Sequence, residues 1–213
     1  TEGRLNPVKN RGNVGFSTYK VQPLTECRVE FEMDRWELDN VERGAQDVDY
    51  EPLENAAKEI ALFEENAIYN GLEEGFIKGI DNVVQTPPIP LGNDPNSIME
   101  AIAKGIIELR KNYQVGPFSL VVGEEAYKRI ISKETAYPLD KRIEKLIDGK
   151  IVFSHVVNGA YLLPYNHEDL ELTIGRDFSI GYQYHTNDKV RFFITESFTF
   201  RVLDPTLIVK FTL

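Results

Sequence analysis

RVEFEMDRWELDNVERG, residues 28–44, changes period in its middle, and that change decides how the chain begins to fold. Val29, Phe31 and Met33, with Cys27 before them, alternate with Arg28, Glu30 and Glu32, the pattern of a strand with one face on a core. From Asp34 the pattern is helical. Asp34 and Glu37 form a capping-box pair, each carboxylate able to accept a free backbone N–H of the first turn, and Gly44 supplies a left-handed stop. The reading is a strand running into a helix of about two turns, with Trp36 on its first turn and Asn40 one turn further on. Nothing local requires the chain's single Trp at that place.

Upstream, residues 14–33 read as a long two-stranded arm broken or edged at Pro23. The apolar side of that arm (Cys27, Val29, Phe31, Met33) has no local partner, so a neighbouring chain is expected to cover it. Downstream, Leu53, Ala57, Ile60, Ala61 and Ile68 define the apolar stripe of a long helix that Gly71 ends, with Glu64 on or near the stripe. Residues 82–96, rich in Pro, Asn and Gly, read as a boundary. Ser97 and Glu100 then suggest a second capping box, opening a helix with Ile98, Ala101, Ile102, Ile106 and Leu109 on its inner side. A strand (PFSLVV), two helices (EEAYKRII and PLDKRIEKLID) and a hairpin about Asn158-Gly159 follow. From about Leu170 the chain is almost all strand. The fold class is α+β: arm, long helix, mixed central block and β-rich end.

The bulk numbers exclude several functions. The chain has 213 residues, 42% hydrophobic and 27% charged, enough for one large or two small domains with a real core. A net charge of −10 argues against nucleic acid as a partner. No apolar run approaches the roughly 18 residues of a membrane span. The lone Cys27 cannot form an internal disulfide and fits a reducing compartment. His155, His167 and His185 lack metal-ligand spacing, and no nucleophile elbow, P-loop or dinucleotide fingerprint is present. Glu64-Glu65, Glu73-Glu74 and Glu124-Glu125 are sequence neighbours that do not face one another on a helix, so they read as solvated faces. No catalytic or metal-binding residues are assigned. An opening Thr1 and an aperiodic first stretch suggest that the natural start lies upstream.

Several segments together carry a family resemblance: RVEFEMDRWELDNVERG, the ALFEENAIYNG helix end with GFIKGI, GPFSLVV, YPLDKRIEKLIDGKIV, GRDFSIGYQY and RFFITESFTFRVLDPTLIVKF. In this order, from about residue 16 to 213, they resemble the encapsulins, a family first described as linocin-type bacteriocins. The resemblance implies a family 1 shell protein of the tailed-bacteriophage major capsid fold. Its extended loop would span 1–33, its peripheral domain 34–87 and 169–213, and its axial domain 88–168. It implies a cytoplasmic homo-oligomeric icosahedral shell that packages a cargo protein through the cargo's C-terminal targeting peptide. The cargo would be a ferritin-like iron oxidase or a dye-decolorising peroxidase, for iron storage or oxidative-stress defence. Family members carry an amino-terminal arm and helix ahead of the extended loop, part of the docking groove, which would lie before Thr1. The alternative is a viral major capsid protein of the same fold.

The resemblance also implies three sites. Lys133, Glu134, Thr135, Ala136 and Tyr137 would line the five-fold pore. Asp177, Phe178, Ser179, Ile180 and Gly181 would contact the cargo peptide, although Phe178 and Ile180 read equally as core residues. Trp36 and Arg28 would hold flavin mononucleotide, the indole as a stacking face and the guanidinium for phosphate or ring carbonyls. The other reading of that pair is Trp36 packed under the arm, with Arg28 bridging Glu26, Glu30 or Glu32.

Overall fold

The computed structural model describes residues 2–131 and 137–213. The chain forms two compact units: one of residues 1–60, 73–76 and 172–199, the other of 61–72, 77–171 and 200–213. In chain order the elements are β1 (Lys9–Arg11), β2 (Val14–Phe16), β3 (Thr25–Asp34), α1 (Arg35–Arg43), α2 (Glu51–Asn70), α3 (Ile80–Val83) and β4 (Ile89–Pro90). They continue with α4 (Pro95–Lys111), β5 (Phe118–Val122), α5 (Glu124–Ile131), α6 (Leu139–Ile147), β6 (Ile151–Phe153), β7 (Ala160–Pro164), β8 (Leu170–His185), β9 (Lys189–Val202) and β10 (Val209–Thr212).

In the first unit β3 and β9 form an antiparallel ladder from Thr25↔Phe198 to Asp34↔Lys189, and β8 flanks β9 on its other side. Opposed residues share a face, so Val29 and Phe31 stand beside Ile194 and Phe192. The rings of Phe31 and Phe192 stack at 5.6 Å. Ala56 and Ile60 of α2 close this core over Phe31, Met33 and Ile194, with Cys27, Val29, Leu38 and Leu53 packed around it. The expectation that another chain covers Cys27–Met33 is therefore corrected. The cover comes from β9 and α2, distant in sequence. The β1–β2 ribbon is uncovered as well: Val14 and Phe16, with Val8 and Tyr19 beside them, are exposed.

The α1 cap is half as read. Asp34 accepts the Trp36 N–H at 2.9 Å, and Gly44 sits at φ 88 with its N–H on the last carbonyls. Glu37 does not complete a capping box. Its carboxylate accepts from the Asn40 side chain at 3.0 Å and from the Asp49 N–H at 3.2 Å, tying down the loop that leads into α2. The buried residues of α2 are Ala56, Ile60 and Ala67, while Ala57 and Ala61 are exposed. The inner stripe is thus turned by one position.

The second unit holds a mixed sheet of order β4-β10-β7-β5-β6. Its core joins Ile98, Ile102, Leu109, Leu120, Ile143, Leu162 and Phe211, all buried. Two expectations change here. Asp94, not Ser97, caps α4: its carboxylate accepts the Asn96 and Ser97 N–H groups, and Pro95 occupies the first helical position, where its fixed φ suits it. Glu100 instead pairs with Lys104 at 2.9 Å. Asn158-Gly159 does not join a hairpin, because β5 lies between β6, to which it is parallel, and β7, to which it is antiparallel. Gly159 has φ 89, and a Cβ there would stand 2.2 Å from the Phe211 carbonyl oxygen.

Candidate functional site

Strand alternation sorts the long strand β8 into two unlike faces. Leu172, Ile174, Arg176, Phe178, Ile180 and Tyr182 lie on one, and all six are exposed, Ile180 to 59%. On the other face two glycines lie close against side chains of the neighbouring strand and loop. A Cβ on Gly175 would meet Leu24 at 2.5 Å and Ser197 at 2.8 Å, and one on Gly181 would meet the Phe193 ring at 2.2 Å. The Tyr182 ring stands edge-on to Phe192 at 6.3 Å, on the face where Phe192 stacks with Phe31. The apolar stripe of β8 thus continues the face that α2 covers over β3 and β9, but none of its members belongs to the buried core. It is an open, mainly apolar strand face with Arg176 between Ile174 and Phe178, ending in a Tyr182 hydroxyl hydrogen-bonded to His185 Nδ1 at 2.6 Å.

The five residues of the expected cargo contact are contiguous on β8, and the pleat divides them. Phe178 and Ile180 lie on the open face; neither fills the core. Asp177, Ser179 and Gly181 alternate with them. Asp177 accepts its neighbour's N–H (Phe178) at 2.8 Å, and Ser179 Oγ reaches the Thr195 carbonyl at 3.5 Å.

Trp36 is 69% exposed on the outer side of α1, with the Arg43 guanidinium 5.9 Å from its ring. Arg28 lies 4.0 Å over the Phe193 ring and 3.6 Å from the Glu26 carboxylate. Arg28 is thus engaged with Phe193 and Glu26, and Trp36 with Arg43. The cation beside Trp36 is Arg43, seven positions on along the same helix face, a spacing already legible in the sequence. Lys133, Glu134, Thr135 and Ala136 lie outside the described residues; Tyr137 is exposed just ahead of Pro138 and α6.

A second polar centre, invisible in sequence, joins three elements of the second unit. Tyr161 of β7 donates to Asp81 of α3 at 2.6 Å, and Lys210 of β10 pairs with the same oxygen. Tyr69 stacks on Tyr161 at 6.0 Å. Burial first, then Asp81, pushes the Tyr161 hydroxyl above its ordinary range, and burial with Glu65 pushes Tyr69 up to about 12. Burial pulls Asp81 upward, but hydrogen bonds from Lys210 and Tyr161 outweigh it and hold the carboxyl below its usual value. Among the described residues no group of three or more His, Cys, Asp or Glu is placed to hold a metal. No described helix is long and apolar enough to cross a membrane.

A family model described as "Encapsulating protein for peroxidase", of linocin type, matches residues 1–199. The type 1 encapsulin shell protein of Mycobacterium tuberculosis is 34% identical over 200 residues, 93% of this chain and 76% of its own. The chain belongs to the encapsulin family. Its fold is that of the tailed-phage capsids and encapsulins. The virus-like particle of Pyrococcus furiosus superposes at TM-score 0.67 and 17% identity, over 95% of this chain and 82% of that one. The capsid of a Myoviridae phage does so at TM-score 0.56 and 14% identity, over 98% and 81%.

Proposed function

We propose that this encapsulin is the shell protomer of a closed icosahedral nanocompartment in the cytoplasm, and that the open face of β8 receives the C-terminal targeting peptide of a cargo protein. The shell role is structural rather than catalytic, and family membership over nearly the whole chain carries it. The viral reading shares only the fold, since the phage capsid neighbour is far below the identity of the encapsulin relative. The cargo reading rests on the Leu172–Tyr182 stripe, a strand face with four apolar side chains, Tyr182 and one cation, Arg176, exposed where they can meet an extended peptide. The cargo classes are a dye-decolorising peroxidase, favoured by the family description, or a ferritin-like iron oxidase. Lys133 to Tyr137 would ring a pore, and Trp36 would stack flavin mononucleotide on its exposed face.

Electron microscopy of the full-length protein, with mass analysis of what co-purifies, tests this. Closed shells carrying one dominant protein with an apolar C-terminal peptide are expected. A protein that stays monomeric under all assembly conditions would overturn the shell reading. Shells that never retain either cargo class when co-expressed with it would overturn the cargo reading.

A further inference from the structure

The Asp81–Tyr161–Lys210 centre holds more polar groups than a tie between α3, β7 and β10 needs. Both hydrogen bonds to the carboxylate, from the Tyr161 hydroxyl at 2.6 Å and from the Lys210 ammonium, end on the same oxygen, Oδ1. Asp81 Oδ2 makes no hydrogen bond among the described residues, and the Lys210 ammonium has N–H groups left over. These groups line a cavity of about 320 Å³ with Asn70, Asn158 and Thr212. The Asn158 amide and the Thr212 hydroxyl make no hydrogen bond among the described residues either, and both residues are exposed. All six lining residues belong to the second unit. The volume is that of a site for a small molecule.

The chemistry of the lining narrows what fits. Its one carboxylate and one ammonium are already in contact, so their charges cancel. A simple anion would meet only a cation that is paired. A metal ion would meet one carboxylate, where no group of three or more ligating side chains stands among the described residues. A sugar would find no aromatic face, because the Tyr161 ring is 3% exposed. What is left unsatisfied is a negative and a positive pole side by side. A molecule carrying its own ammonium and carboxylate close together meets both, with the two ion-pair dipoles antiparallel and every charge still paired.

We propose that this cavity binds a small zwitterion of the α-amino-acid class, its carboxylate on the Lys210 ammonium and its ammonium on Asp81 Oδ2. The Asn70 and Asn158 amides and the Thr212 hydroxyl then face its side chain and favour a polar one. The site lies within one chain and requires neither a shell nor a cargo.

The test is titration calorimetry on the full-length protein with the common protein α-amino acids, one at a time, and with sorbitol as a neutral polyol. At least one amino acid with a polar side chain should bind saturably, one per chain, and sorbitol should not. Analogues of the best binder that lack either the amino or the carboxylate group should bind at least about tenfold more weakly, the loss expected for one charge-assisted hydrogen bond. D81N/K210Q removes both poles together, leaves no unpaired charge, and should bind at least about tenfold more weakly too. N158L, altered only at an exposed wall, should fold as the wild type does and bind more weakly. Bound ligand should raise the wild-type melting temperature with its concentration, as anything held by the folded state alone does. The proposal is overturned if no amino acid binds saturably, or if sorbitol binds as well as the best of them. It is also overturned if either analogue matches its parent, or if D81N/K210Q or N158L keeps wild-type affinity.

Discussion

The Phe193 ring is held between Gly181 and Arg28: a Cβ on Gly181 would stand 2.2 Å from the ring, and the Arg28 guanidinium lies 4.0 Å over it. The glycine is therefore a packing requirement of the sheet, set by the ring on the neighbouring strand. Gly181→Ala forces the ring off its seat and should cost about 1–3 kcal/mol, the usual range for overpacking. Denaturant unfolding of the dissociated protomer measures it. The same substitution in a Phe193→Leu background should cost distinctly less. An equal cost in both backgrounds would mean that the ring is not what excludes the side chain.

Ile180 and Ile194 separate docking from folding. Ile180 is 59% exposed and Ile194 is 4% exposed. Ile180→Asp should change protomer stability by no more than about 0.5 kcal/mol, as surface changes do. Its shells should form and come out empty of cargo. Ile194→Asp buries a carboxylate among Phe31, Met33 and Ile60 and should abolish soluble protomer. Cargo retained at wild-type levels by Ile180→Asp would move the docking site off this strand face.

What sequence reasoning reached, and what it missed, follows from the range of the interactions. The period of two through Cys27–Met33 and the cap at Asp34 are local, and both appear where expected. The partners of that strand are not local: the ladder to β9 crosses most of the chain, so an alternating face looked uncovered when it was not. Ala56 and Ala57 are chemically identical, and only the packed Ile60 side shows which one turns inward. On β8 the alternation of Phe178 and Ile180 was plain in the sequence, but alternation marks a face without saying whether anything lies on it. The Asp81–Tyr161–Lys210 cluster left no trace at all, because three single polar residues on separate elements have no period. The family itself was legible from the ordered run of distinctive segments.

That cluster predicts a pH dependence with a definite sign. Asp81 is held below the ordinary carboxyl range in the folded protein, so its contribution is fully present above the unfolded value and is lost as pH falls through the folded one. Protomer stability should drop from about pH 4 downward, where an unfolded Asp begins to titrate. Asp81→Asn should flatten this limb. At the alkaline end the sign reverses. Tyr161 and Tyr69 are both raised by burial, so their contribution is present below about pH 10 and lost above it. Denaturant midpoints across pH for the wild type, Asp81→Asn and Tyr161→Phe check both limbs. An unchanged acid limb in Asp81→Asn would assign it to other carboxylates.

Trp36 gives the sharpest test of a bound cofactor, because little else explains it. Its ring contributes nothing to either core, and the Arg43 guanidinium of its own helix lies 5.9 Å from it. An indole exposed to 69% with a guanidinium at one side offers a flat apolar face and an anion partner, which suits an isoalloxazine ring and its phosphate. Purified shells should be yellow and release flavin on denaturation. Trp36→Ala should yield colourless shells that assemble normally, with stability changed by no more than about 0.5 kcal/mol. The two arginines then divide the geometry. If one chain builds the site, Arg43→Gln weakens flavin uptake and Arg28→Gln does not, because Arg28 is engaged with Phe193. If the ribbon and strand of a second copy bring another cation to the indole, Arg28→Gln weakens it as well. Shells that stay colourless after added flavin mononucleotide would leave Trp36 to a contact between copies, and Trp36→Ala would then reduce assembly instead of colour.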